Sequence, residues 1–65
     1  MHIQLNGNSL SIDNITTVQD LLDILKLSGR LAIEINQQIV PRSLFQSYKL
    51  NPGDNIEIVH AIGGG

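Results

Sequence analysis

The residues whose types and spacing could do chemistry are few in this chain. The most unusual of them close it: Gly63-Gly64-Gly65. At an average glycine usage of about 7%, three glycines in a row at one given place have a chance of roughly 3 in 10,000. A run without Cβ atoms can pass through a channel too narrow for other residues. From Ala61 to Gly65 it spans roughly 13 Å at about 3.3 Å per residue. That reach can place a chain terminus inside a partner's active site while a folded body stays outside. An α-carboxyl group, with a pKa of about 3.5, is ionised at neutral pH. The carboxylate can attack the α-phosphorus of ATP to give an acyl-adenylate, and glycine leaves that carbonyl open to a nucleophile from either side. The expectation is a substrate whose last carbon reacts, with Gly65 the modified residue and Gly63 and Gly64 the threading segment.

The remaining polar residues do not assemble a catalytic site of their own. There is no cysteine, which excludes disulfide scaffolds, thiolate zinc sites and cysteine nucleophiles. The two histidines, His2 and His60, lie at opposite ends of the chain, so no metal site is expected. Asp13, Asp20 and Asp23 read as a solvated helix start, where carboxylates suit the macrodipole. Gly7, Gly29 and Gly53 each stand alone at an expected turn and form no phosphate loop. His60 shares the parity of Ile56 and Ile58 and is expected to be a partly buried rim residue. The serines have no evident base nearby. The expectation is a protein that is not an enzyme and holds no tightly bound cofactor.

Size and charge narrow the class further. The chain of 65 residues bounds one domain. A domain of that size buries only about 60% of its unfolded surface. Ile, Leu and Val supply 22 residues and the aromatics are Phe45 and Tyr48 alone, so the core is expected to be aliphatic. The net charge is −2, and Lys26, Arg30, Arg42 and Lys49 are scattered. No phosphate-tracking stripe is visible, so nucleic acid is not expected. No apolar run reaches the length of a membrane span, and the N-terminus lacks a basic and apolar leader pattern. A cytoplasmic monomer is the default expectation.

The elements that must position the tail are legible from periodicity. Met1, Ile3 and Leu5 alternate with His2 and Gln4, then Asn6-Gly7 gives a strong hairpin signal, and Leu10 and Ile12 point inward from a second strand. Thr17-Val18-Gln19-Asp20 fits a capping box. Val18, Leu21, Leu22 and Leu25 form one helical stripe. The spacing predicts a helix from Val18 to Leu27, with Gly29 as its left-handed cap. Leu31, Ile33 and Ile35 point inward from the next strand, with Glu34 outward. Asn36-Gln37-Gln38 reads as a polar turn before Ile39-Val40, and Pro41 stops that stretch. Ser43 to Leu50 is the least readable segment. Leu44 and Phe45 are expected to cover an open side of the core in a short helical turn. Asn51-Pro52-Gly53-Asp54 is a turn. Asn55 to Ile62 is the final strand, with Ile56 and Ile58 on one face and Glu57, Val59 and Ala61 on the other.

One amphipathic helix on one face of a mixed sheet of about four to five strands is a two-layer α+β domain. Its order of elements matches the β-grasp, or ubiquitin-like, arrangement. That resemblance implies that the first and last strands are central neighbours. The expected division is a body over residues 1–62 and a glycine tail over 63–65.

More specifically, the chain resembles the ThiS sulfur carriers of thiamine biosynthesis. The likeness rests on Ile3-Gln4-Leu5-Asn6-Gly7, Thr17-Val18-Gln19-Asp20-Leu21-Leu22, Asn36-Gln37-Gln38-Ile39-Val40-Pro41-Arg42, Gly53-Asp54 with Ile56-Glu57-Ile58-Val59-His60, and the terminal Gly64-Gly65. Gly63 stands where many members have alanine or another small residue. The resemblance implies that a ThiF-like adenylyltransferase adenylates Gly65 using ATP. A persulfide, ultimately from a cysteine desulfurase, then displaces AMP to give a thiocarboxylate. Thiazole synthase, a ThiG-like partner, takes that sulfur to build the thiazole with deoxyxylulose phosphate and a glycine-derived imine. The body's role is docking. Strand parity places Val59 and Ala61 on the sheet face away from the helix, and Ile62 at the tail root can join them as an apolar partner site. Three other readings stay open at this point: a molybdopterin-synthase small subunit, a ubiquitin-like modifier joined to lysines through Gly65, and an interaction domain with an incidental tail.

Overall fold

The computed structural model describes residues 1–13 and 17–60. In chain order these form β1 (His2–Leu5), β2 (Asn8–Ser11), α1 (Val18–Leu25), β3 (Leu31–Ile35), β4 (Gln38–Val40), a 3₁₀ turn (Arg42–Leu44) and β5 (Asn55–His60). The five strands make one sheet in the order β2-β1-β5-β3-β4. The central pair, β1 and β5, is parallel, with Gln4 opposite Asn55 and Leu5 opposite Ile56. All other pairs are antiparallel. The expected α+β architecture and the central pairing of first and last strands are both present.

Each hairpin turn has a local cause. Asn6 and Gly7 take φ of 49° and 84°. Two successive left-handed residues make a type I′ turn, whose twist matches the flanking strands. The β3–β4 turn does the same with Asn36 and Gln37, at φ 52° and 71°. The expected polar turn there is thus a two-residue hairpin loop.

The helix starts where the sequence indicates. Thr17 Oγ1 accepts from the Asp20 N–H at 3.2 Å, and Asp20 Oδ2 accepts from the Thr17 N–H at 3.1 Å, which is a reciprocal capping box. The helix ends earlier than the spacing predicts, at Leu25, and the left-handed cap is Lys26 at φ 58°, not Gly29. The Lys26 N–H donates to the Asp23 carbonyl at 3.2 Å and the Leu27 N–H to the Leu22 carbonyl at 3.0 Å. This is a Schellman closure with lysine where glycine is usual. It turns Leu27 back onto the core as a partly buried side chain. A helix running on to Leu27 would lose that contact. Gly29 does take positive φ, 92°, but in the loop beyond the cap.

The core lies between α1 and the inner sheet face. Ile3, Ile12, Val18, Leu21, Leu22, Ile33, Ile35, Val40, Leu50, Ile56 and Ile58 are buried, with Phe45 the one aromatic among them. Phe45 covers the open side of the core as expected, but Leu44 does not: it is 44% exposed. Successive residues of a 3₁₀ turn point about 120° apart, so only one of the two neighbours can face inward. Asp54 is the buried polar exception among the described residues. Its Oδ2 accepts from the Asn51 N–H at 2.8 Å and its Oδ1 from Asn36 Nδ2 at 3.0 Å. That pairing satisfies the carboxylate inside the turn leading into β5.

Candidate docking face and tail root

The last strand connects the body to the glycine tail, so its placement decides what the body can present. β5 is inserted between β1 and β3 and is held on both sides. On the β3 side its antiparallel ladder runs from Ile35 opposite Ile56 to Leu31 opposite His60. On the β1 side the strand pairing is shorter, and Asn6 prolongs it. Asn6 Nδ2 donates to the Ile58 carbonyl at 3.2 Å, and the Ile58 N–H donates to Asn6 Oδ1 at 2.9 Å. The side chain of a turn residue thus completes both backbone hydrogen bonds of Ile58, two residues before the strand ends.

The two faces of β5 differ as parity requires. Ile56 and Ile58 are buried under the helix, whereas Asn55, Glu57 and Val59 are exposed. Val59 is 59% exposed and lies opposite Ala32, which is exposed as well. Val59 therefore lies on the outward sheet face that the sequence assigns it. Ala61, Ile62, Gly63, Gly64 and Gly65 lie outside the described residues, so the threading, docking and modification roles assigned to them rest on the sequence.

His60 departs from expectation. It is exposed, not a partly buried rim residue. It pairs with Leu31 at the very start of β3, one step past the last buried pair, Ile33 and Ile58. Its cross-strand partner Leu31 is itself only half-buried.

Sequence reasoning missed one apolar feature of the outer face. Ile39, grouped with Val40 as a single apolar stretch, is 75% exposed, while Val40 is 4% exposed. The signal was available, since adjacent strand residues face opposite ways. Ile39 lies opposite Glu34, and Glu34 in turn lies opposite Glu57. The outer face thus carries a cross-strand row of Ile39, Glu34 and Glu57, beside the Ala32–Val59 pair.

On the other side of the sheet, a cavity of about 240 Å³ opens beyond the helix end. Leu22, Leu27, Leu31 and Phe45 make its apolar walls, with Gln19 and Ser28 at its edge. Arg42 closes one side by donating from Nη2 to the Gly29 carbonyl. Among the described residues no group of three or more His, Cys, Asp or Glu side chains gathers to hold a metal ion. No helix of the described residues is long and apolar enough to cross a membrane.

Comparison with known proteins decides the family. The ThiS family model matches residues 3–65. The chain belongs to the ThiS family. Among curated relatives, this ThiS family member is 38% identical over 65 residues to the sulfur carrier protein ThiS of Bacillus subtilis (strain 168), covering 97% of this chain and 98% of that one. It is 41% identical over 64 residues to the uncharacterized protein ycf40 of Porphyra purpurea, covering 97% and 90%. It is also 39% identical over 66 residues to a thiazole synthase of Paramagnetospirillum magneticum (strain ATCC 700264 / AMB-1). There the match takes in all of this chain but only 20% of the synthase. The fold superposes on the crystal structure of the thiamine biosynthesis protein ThiS from Geobacter metallireducens with a TM-score of 0.86. That match has 28% sequence identity and covers both chains fully. The β-grasp architecture of the ThiS family is therefore the architecture of this chain.

Proposed function

We propose that this protein is the sulfur carrier of thiamine biosynthesis and that Gly65 is its reactive residue. The observation that carries this reading is the extent of the family match, which runs from the first strand through the terminal glycines, residues 3–65. The near end-to-end likeness to the Bacillus subtilis sulfur carrier supports it.

The reaction is ordinary acyl chemistry at one carbon. The Gly65 carboxylate attacks the α-phosphorus of ATP in a ThiF-like adenylyltransferase, forming the acyl-adenylate and expelling pyrophosphate. A persulfide, supplied through a cysteine desulfurase, attacks the acyl carbon and expels AMP. The resulting acyl disulfide is cleaved by a thiol, which leaves as a disulfide with the donor sulfur and releases the thiocarboxylate. A ThiG-like thiazole synthase then takes the sulfur. The alignment with part of a thiazole synthase chain supports that partner. Through all of these steps the protein is a co-substrate. Its folded body, with Val59, Ala61 and Ile62 at the tail root, docks, while Gly63 and Gly64 thread the tail. The absence of cysteine fits such a role, because the sulfur is held on the main-chain carbonyl and needs no side-chain thiol.

Intact-mass measurement tests the proposal. After incubation with the adenylyltransferase, ATP, a desulfurase with cysteine and a thiol, the chain is expected to exchange one oxygen for sulfur at Gly65. An unchanged mass under conditions that load the Bacillus subtilis carrier rejects the reading.

A further inference from the structure

The outer sheet face holds a juxtaposition that folding alone does not favour. Glu34 and Glu57 lie directly opposite each other on β3 and β5. Both project away from the core, Glu57 exposed and Glu34 half-buried. Like charges directly opposite on one sheet face destabilise it. None of the four basic residues, Lys26, Arg30, Arg42 and Lys49, sits on a strand, and the Arg42 guanidinium donates to the Gly29 carbonyl. Neither glutamate has an ion-pair partner among the described residues. The pair is framed by exposed apolar groups, Ile39 on the outer side of Glu34, and Val59 with Ala32 one step along.

We propose that this row receives a cationic side chain, arginine or lysine, from the docking surface of a thiazole synthase, with Ile39 and Val59 packing against the apolar groups around that cation. The inference rests on the sulfur-carrier reading and adds to it a location and a charge. Two carboxylates side by side fit the forked guanidinium or a desolvated ammonium. Val59 and Glu57 belong to the same strand that leads into the tail, so a protein that takes the tail also covers this row. Thiazole synthase is the partner singled out because a segment equivalent to the entire chain is part of a synthase polypeptide in relatives from two organisms. A second copy of this chain is a poor occupant, since face-to-face pairing would bring four carboxylates together.

The test compares stability with binding. Glu34→Gln, Glu57→Gln and the double variant are prepared beside Asp13→Asn, which removes one negative charge, as each single glutamine variant does, outside the Glu34–Glu57 row. Binding of each to the thiazole synthase of the same genome is measured calorimetrically at low and high salt. The double variant is expected to bind about tenfold more weakly and to lose much of the salt dependence, while its thermal midpoint rises by a few degrees, about 2–4 °C. Asp13→Asn is expected to bind like the parent. Unchanged affinity and salt dependence in the double variant overturn the inference, and so does a fall in its thermal midpoint. If the parent chain acquires sulfur but does not bind the synthase, the choice of partner is wrong and the inference fails alone. If the parent acquires no sulfur and binds no synthase, the sulfur-carrier reading fails with it.

Discussion

The side-chain amide of Asn6 makes both backbone hydrogen bonds of Ile58, accepting from its N–H at 2.9 Å and donating to its carbonyl at 3.2 Å. Asn6 is the first residue of the β1–β2 turn, and its φ of 49° aims the amide at the neighbouring strand. Asn36 plays a related part from the other side. It is the first residue of the β3–β4 turn, and its Oδ1 accepts from the Asn55 N–H at 3.0 Å. The strand that leads into the tail is therefore clasped by one turn asparagine on each flank. Each does two jobs, left-handed backbone and strand mimic, and few residues other than asparagine can do both.

Replacing Asn6 separates those two jobs. Asn6→Gly keeps the left-handed conformation and removes the amide, leaving the partly buried Ile58 groups without their partner. At about 1 kcal/mol per hydrogen bond, a loss of about 2 kcal/mol is expected. Asn6→Ala adds the left-handed penalty, for a total of about 3 kcal/mol. Urea unfolding measures both, and amide exchange at Ile58 should accelerate in each. Losses below about half a kilocalorie in both variants would mean that the clasp contributes nothing.

The helix N-terminus carries the next prediction. Thr17→Ala removes the hydroxyl that accepts from Asp20 and is expected to cost about 1 kcal/mol, within a range of about 0.5–2. Thr17→Ser keeps the acceptor and should recover most of that stability. Equal losses in the two variants would assign the effect to the threonine methyl group and not to the cap.

The capping box, the Asn-Gly hairpin and the alternation of four strands were legible because each is set by residues close in sequence. The segment 43–50 was not, and the structure shows why. The Val18 and Gln19 N–H groups, unpaired within their own helix, donate to the carbonyls of Tyr48 at 3.0 Å and Phe45 at 2.9 Å. Thr17 also bridges to Lys49. That segment takes its shape from the helix end it satisfies, nearly thirty residues earlier, and no local pattern encodes it. Lys26 as the cap was hidden for a different reason. A glycine two residues past the expected end is the stronger statistical signal, yet packing of Leu27 decided the outcome. At the site, the outward placement of Val59 followed from parity alone. The Glu34–Glu57 juxtaposition required the register between β3 and β5, which the sequence does not state.

Gln37 offers a stabilising change. At φ 71° it occupies a conformation that costs a residue with a Cβ about 1–2 kcal/mol. Glycine removes that cost but adds about 0.5–1 kcal/mol of unfolded-state entropy. Gln37→Gly is therefore expected to gain about 0.5 kcal/mol, making the second turn the Asn-Gly pair that the first already has. Gln37→Val, β-branched at the same φ, should lose stability. A shift of the urea midpoint to lower concentration for the glycine variant would contradict the type I′ geometry of this turn.

The proposed chemistry needs a free carboxylate on Gly65, and this separates tail from body. Adding one alanine after Gly65 moves the carboxylate one residue further and puts a Cβ beside the reacting carbon. In an active site shaped for a Cβ-free strand, both changes oppose attack on the α-phosphorus. The body should not sense the addition. Among the described residues its β5 ladder runs to His60 opposite Leu31, and the buried core residues all come before that point. The extended variant is therefore expected to keep the parent's thermal midpoint and to show no oxygen-for-sulfur exchange by intact mass. Gly64→Val tests the passage itself. With the terminal carboxylate unaltered, a β-branched side chain in the threading segment should lower the rate of adenylation strongly, read as ATP–pyrophosphate exchange, and again leave the thermal midpoint in place. A full thioacid yield from the extended chain would show that the reacting atom is not the Gly65 carboxyl carbon, whatever the family resemblance implies.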